Sequence, residues 1–422
     1  MADPQIGPWP VGGRRWADPA RCWLLALGLL AAIPLAARAQ GRPAPEEDRP
    51  PKPQLTIYGF TQLDAGYDFG RIDPKYFDRL RTSALPASAD QYGSDGAAYF
   101  SVRQTRIGTK SSLPTGAGTL SVTMEFDLVG RGDDAGQTTP YLRLFYGELG
   151  SIGAGQYWSP FVDPEVSPEI YESYRPPGQP FTRSPQVRWM PVRGKTRLTF
   201  ALEKPGARAD GGPYSNDITE RHVNARFPFP EVTAAVWRGG AWGHVQVAGL
   251  WRRMAWDDPM GGETDLTGHA VGYGLNATSL VRLGRHTVRG QYAVGRGIQN
   301  YINDSTPDVG VEPNPGDPRR PIVGVALPVW SFTSYWEATA GRVTIVAGAG
   351  RQSIRNSAGQ AARAYHAGSY ATVTLAVNAA PSFTLATEYQ WGRRENAFDG
   401  WSFDDHRVQF SARYRFSMTV GN

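Results

Sequence analysis

Residues 119–129 read TLSVTMEFDLV, and their alternation decides the fold. Leu120, Val122, Met124, Phe126 and Leu128 fall on one face of an extended chain, while Ser121, Thr123, Glu125 and Asp127 fall on the other. Successive side chains of a strand point to opposite sides, so one face meets an apolar medium and the other meets water. The same period governs both ends of the region. Near its start, Leu55, Ile57, Gly59, Leu63, Ala65, Tyr67 and Phe69 alternate with Tyr58, Gln62, Asp64 and Asp68. Near its end, RVQFSARYRF (407–416) sets Val408, Phe410, Ala412, Tyr414 and Phe416 against Arg407, Gln409, Ser411, Arg413 and Arg415. No amphipathic helix of comparable regularity competes with this pattern.

The connections sort into two kinds. Tight polar turns stand at 113–118, 193–195, 238–241, 283–286 and 378–382, while 70–97, 161–181, 205–219 and 299–325 are long and rich in Gly, Pro and Asp. Short turns at one end and long loops at the other describe a transmembrane β-barrel. The spacing allows roughly 23 residues for each of about sixteen strands with its connection, enough for the ~9–11 residues that cross a bilayer. A secreted sandwich would alternate as well. Here, however, ionisable residues return to the polar face in strand after strand, as a water-filled lumen requires. The expected fold is therefore all-β, an antiparallel barrel with short periplasmic turns and long extracellular loops.

Composition agrees. The chain has 422 residues with 44 Lys+Arg, 39 Asp+Glu, 49 Gly and 34 Pro. Its mean hydropathy of −0.41 excludes a bundle of membrane helices. Arg14, Arg15 and Arg21 precede an apolar run from Trp23 to Ala36, and Ala37-Arg38-Ala39 offers a cleavage site before Gln40. This is the form of a secretory signal peptide over residues 1–39. Its removal leaves 40 basic and 37 acidic residues, a balance that suggests no nucleic-acid partner. The single cysteine, Cys22, lies inside that signal. Residues 40–54 hold five prolines and read as an extended periplasmic tether, and 55–422 as one barrel domain. Neither a G-x-S-x-G elbow nor an H-E-x-x-H pair occurs, so no enzyme, metal or cofactor is expected.

IYGFTQLDAGYDFGRID (57–73), RQTRIGTK (103–110), LRLFYGELG (142–150) with GAGQYWSPFVD (153–163), and PQVRW (185–189) resemble, in this order, the DcaP-like outer-membrane porins. The likeness spans nearly the whole mature chain and is strongest over 55–190. It implies a sixteen-stranded homotrimer in the outer membrane of a Gram-negative bacterium, embedded in outer-membrane lipid and inserted by the barrel-assembly machinery. It also implies a third loop that constricts the lumen and uptake of small anionic solutes such as dicarboxylates. Two departures stand out. Only the Pro-rich tether occupies the place of the N-terminal coiled coil that members often carry, and SMTVGN (417–422) follows the aromatic at which barrels commonly end.

Strand parity picks out the residues that would work in such a pore. Gln104, Arg106, Arg143, Arg188, Gln246, Arg252, Arg289 and Arg413 are expected on the polar face, with Leu142 and Leu144 outward beside Arg143. Guanidinium groups converging in a lumen bind carboxylates in fork geometry without holding them. Each could instead pair with a luminal acid and brace the wall. Residues 161–185 follow the fifth strand and carry Asp163, Glu165, Glu169, Glu172 and Arg175, as a loop folded into the lumen would. The other long loops are expected outside. The competing reading is a barrel whose long loops form a ligand-binding or adhesion surface without transport.

Overall fold

The computed structural model describes residues 52–172 and 175–421. The signal peptide read over 1–39 and the tether up to residue 51 lie outside these. Sixteen antiparallel strands close into a barrel: β1 (Gln54–Asp68), β2 (Ala97–Ser101 continued as Arg106–Thr115), β3 (Gly118–Val129), β4 (Thr138–Leu149), β5 (Ile152–Trp158) and β6 (Arg183–Val192). Then follow β7 (Thr196–Glu203), β8 (Asn224–Arg226 continued as Glu231–Gly240), β9 (Gly243–Asp257), β10 (Gly268–Leu283) and β11 (His286–Arg296). The wall ends with β12 (Pro328–Ala340), β13 (Val343–Ile354), β14 (Tyr365–Ala380), β15 (Phe383–Asn396) and β16 (Ser402–Val420). Both pieces of β2 pair with β1, at Asp64 opposite Ser101 and Phe60 opposite Arg106, so the break between them is a bulge within one strand.

The medium is written on the wall. Phe410 is 60% exposed and Val187 56%, whereas Gln390, Arg407 and Gln409 are wholly buried. A water-soluble protein buries its apolar face; this barrel turns it outward, which only a hydrocarbon surround rewards. The expected parity holds on nearly every strand. Leu144 is an exception: expected outward, it is only 7% exposed. A bulge against β3, where Glu125 opposes Leu144 and Phe126 opposes Leu142, leaves Arg143 unpaired in the ladder, so two successive side chains turn inward.

Closure joins β1 to β16 from Leu55 opposite Val420 to Asp68 opposite Arg407. The chain does not leave the sheet at Phe416, because Ser417, Met418, Thr419 and Val420 continue the ladder against Tyr58, Ile57, Thr56 and Leu55. Ending the chain after Phe416 should therefore weaken the seam. The folded form should lose its resistance to heat at a lower temperature on semi-native electrophoresis; an unchanged transition would show that the seam closes without these pairs.

Three long loops fold inward, where only one was expected. L3 (159–182) sends Phe161 against Tyr301, Ile302 and Leu250, Ile170 against Tyr335 and Val346, and Tyr171 against Ala376 and Ala386. L1 (69–96) buries Leu80 and Leu85 beside Tyr370 of β14. The first half of L6 (297–327) buries Ile298, Tyr301 and Ile302. These apolar residues have no other surface to cover, and burying them inside the barrel supplies the hydrophobic gain that orders the loops.

Candidate functional site

L3 crosses the lumen and is tied down on opposite walls. At its start, Asp163 Oδ2 lies 2.8 Å from His244 Nε2 of β9 and accepts from Thr278 Oγ1 of β10 at 2.6 Å. Asn276 donates to the Phe161 carbonyl at 2.7 Å, and Gln246 to that of Pro160 at 3.3 Å. At its apex, Glu388 of β15 accepts the backbone N–H groups of Tyr171 and Glu172 at 2.9 and 3.1 Å. The Tyr171 carbonyl accepts from Gln62, Gln104 and Gln409, at 3.3, 2.5 and 3.2 Å. A bare loop in a water-filled barrel would expose its backbone; here the wall supplies partners for it. Gln104 and Gln246, chosen as lumen residues, both face inward and both serve this anchoring.

The wall arginines divide into two groups. Arg143 is held between Glu125, 2.6 Å from Nε, and Asp127, 2.6 Å from Nη1. Arg289 meets Glu337 at 2.6 Å. Arg252 is 0% exposed, paired with Glu231 at 2.8 Å and Asp308 at 3.2 Å and bonded to the carbonyls of Gly206 and Gly297. It was expected to line the path but does not reach it, because L6 and the loop after β7 close over it. These three are braces.

The second group keeps charge available. Arg106 is a quarter exposed and stands 3.6 Å from Glu125 Oε1, looser than Arg143 on the same carboxylate. Arg188 bonds Gln186 and the Trp158 carbonyl and lies over the rings of Tyr146 and Tyr157, at 5.4 and 5.0 Å. Arg413 stacks on Tyr171 of L3 at 4.3 Å and on Phe60 at 4.6 Å, with Nε donating to Gln62. Neither Arg188 nor Arg413 has a carboxylate oxygen within 4 Å among the described residues. An aromatic face steadies a guanidinium without neutralising it.

Arg175 joins this group from L3. Its backbone takes a left-handed φ of 74°, held by its N–H donating to Glu172 at 2.9 Å, while Nη1 reaches the Pro168 carbonyl at 2.6 Å. Burial pulls its pKa below the ordinary arginine value; Glu169 opposes this, Arg143 adds to it, Glu172 opposes and Arg289 adds. A guanidinium facing two others gains from an arriving anion. The other L3 acids are placed differently. Asp163 is buried at its latch, Glu165 is met by Arg197 at 3.2 Å, Glu172 is buried, and Glu169 is exposed.

Above L3 lies a cavity of about 390 Å³ that strand parity did not reveal. Arg81, Arg131, Arg183 and Arg208 line it with Tyr141 and Phe181. Arg183 lies over Trp158 at 4.8 Å, Arg131 over Tyr141 at 4.7 Å, and Arg81 meets Asp304 at 2.9 Å. On the turn side, a second cavity of about 520 Å³ is bounded by Tyr58, Phe60, Arg106, Glu125 and Arg415. Arg131 and Arg208 come from loops, where period-two reasoning has no purchase. The acids of residues 301–308, which could have suggested a cation site, are committed within the chain: Asp304 to Arg81, Thr82 and Ser83, and Asp308 to Arg252.

Comparison with known proteins agrees with the fold. The model of the DcaP outer membrane protein family matches residues 45–233. The crystal structure of the outer membrane channel DcaP of Acinetobacter baumannii superposes with a TM-score of 0.73 at 20% identity, covering 86% of this chain and 97% of that one. The anion-selective porin from Comamonas acidovorans gives 0.57 at 10% identity, with 86% and 100% covered. OmpT of Vibrio cholerae, in a trimer form, gives 0.51 at 12%, with 86% and 99% covered. Identities this low speak for the fold. No curated protein sequence matches the chain. The resemblance to the DcaP family read from the first half of the barrel holds, and the chain is an outer-membrane barrel of porin type.

Proposed function

We propose, for this DcaP-like outer-membrane porin, passive diffusion of small hydrophilic solutes with a preference for anions, dicarboxylates among them. The observation that carries the reading is the set of guanidinium groups at the level of L3, Arg175, Arg188 and Arg413, with no carboxylate oxygen within 4 Å among the described residues. Carboxylates of the same section are already engaged: Glu125 and Asp127 by Arg143, Asp163 by His244 and Thr278. In a narrow section with low-dielectric walls, field lines concentrate and such a row favours anions. A solute would meet the arginines of the outer cavity, pass L3, and leave past Arg106 and Arg415. A homotrimer is the assembly that the resemblance implies, and both chain ends of the barrel lie at its short-turn, periplasmic side.

Reversal potential across a planar bilayer under a salt gradient tests the reading. The full-length barrel should favour the anion. R175Q together with R413Q should bring the reversal potential toward zero, and E169Q, which removes the exposed counter-charge beside them, should move it further toward the anion. A correctly folded barrel with no stepwise conductance would overturn the channel and leave the three inserted loops as a ligand-binding surface.

A further inference from the structure

Besides the Arg226–Asp257 pair at the end of β9, the outward face of the barrel carries two larger groups of charge at its loop end, and they are built differently. On β13 to β16 the charges answer one another. Arg351 Nη1 is 2.8 Å from Glu395 Oε1, Arg393 Nη1 is 3.0 Å from Asp404 Oδ2, and Arg393 Nε is 3.8 Å from the same Glu395 oxygen. Two arginines and two acids leave that ladder neutral.

From β9 to β13 the pattern changes. Arg253 stands two residues beyond the exposed Trp251, Arg296 two beyond the exposed Val294, and Arg355 one beyond the end of β13 in step with the exposed Ile345. Parity turns all three toward the membrane side. Among the described residues none has a carboxylate oxygen within 4 Å, and the buried Nε of Arg253 has no partner. Register sets Arg296 and Arg355 on one level, with Arg253 two residues beyond it toward the loops. Trp251 opposes Tyr273, Tyr273 opposes Arg296, and Arg296 opposes Pro328, whose carbonyl accepts from the Arg355 N–H at 2.9 Å. With strands about 5 Å apart, the backbones carrying Arg296 and Arg355 stand roughly 10 Å apart.

Between these two arginines the wall opens into a notch of about 520 Å³ beneath the ribbon formed by Val309–Pro313 and Ile322–Ala326. Val271, Tyr273 and Val325 give it an apolar floor, and Glu312 is the one acid in its lining. Trp330 faces outward two residues below Pro328, and Trp251 faces outward level with Arg296; together they mark the boundary between water and hydrocarbon. A free solute ion would need the guanidinium groups alone. The apolar floor, opening at that boundary, suits a ligand with an acyl chain beneath an anionic head.

We infer that this notch holds a phosphorylated glycolipid of the outer leaflet, with a phosphate between Arg296 and Arg355 and Arg253 supporting it from the flank. Planar guanidinium groups match phosphate oxygens in fork geometry, and the neutral ladder on β13 to β16 offers no such place. The site lies outside the lumen and is independent of the pore reading.

Native mass spectrometry of the full-length protein, titrated with lipid A and with lipid A stripped of its phosphates, tests this. The unaltered protein should retain lipid A at least tenfold better than the dephosphorylated form. R296Q with R355Q should abolish that difference, while R393Q should leave it intact. The glutamines preserve length and polarity, and an unchanged conductance in bilayers certifies folding of the variant and separates this result from any failure of the pore. Equal retention of both lipids, equal binding by the double variant, or capture of a second copy of the chain at this face would each overturn the inference.

Discussion

Replacing Arg143 by Met is expected to cost the barrel about 3–5 kcal/mol, the penalty for removing one partner from a buried ionic group. The guanidinium bridges Glu125 and Asp127, both nearly buried, and Arg106 is too loosely placed at 3.6 Å to take over both acids. Asp127 would then lose its close cation, and Glu125 would keep only the looser Arg106. The unfolding midpoint in denaturant should fall, and the reversal potential should move toward cations, since the same change exposes negative charge at the level of L3. Neutralising all three positions together, R143M with E125Q and D127N, should recover most of the lost stability, because no charge is left uncompensated. A single R143M barrel as stable as the parent would show that Arg143 is dispensable to the wall.

The second large effect belongs to Glu388. Its carboxylate accepts two backbone N–H groups from the apex of L3, with further bonds from Thr374 Oγ1 at 2.6 Å and Gln390 Nε2 at 2.6 Å. In E388A the Tyr171 and Glu172 N–H groups lose their partner, at about 1–3 kcal/mol for each buried donor left unsatisfied. The apex should detach while the Asp163 latch still holds the start of the loop. Single-channel records should then show larger and noisier conductance, with the barrel's overall resistance to heat largely kept. E388Q, which retains one acceptor oxygen, should lie between the two. Unchanged conductance in E388A would mean that the apex of L3 is held without Glu388, by the glutamine bonds to the Tyr171 carbonyl and the apolar contacts with Tyr335, Val346, Ala376 and Ala386.

The two substitutions separate roles that look alike in a sequence. Arg143, Arg252 and Arg413 all occupy inward positions on alternating strands. One bridges two acids, one is sealed from water, and one lies across aromatic rings with its charge open. Parity supplies the face for each. The partner of Arg252, Asp308, comes from a loop 56 residues away, and the ring under Arg413 comes from L3. The outer cavity escaped notice for a related reason, since Arg131 and Arg208 lie in loops that carry no period.

What the chain settles by itself is the barrel. Period-two alternation from Leu55 to Phe416 forces one face of each strand into hydrocarbon and the other into water, and short turns against long loops orient the whole; both are local properties. Even L3 was legible, because the length and position of the acid- and proline-rich segment after the fifth strand match a loop folded into the lumen. The rest belonged to the tertiary structure. Alternation says nothing of height, and a bulge such as that at Arg143 breaks it within a strand. Which arginines are matched by acids, and which loops enter the barrel, depends on side chains that meet across strands and loops far apart in sequence. Those meetings exist only once Leu55 has found Val420 and the sheet has closed.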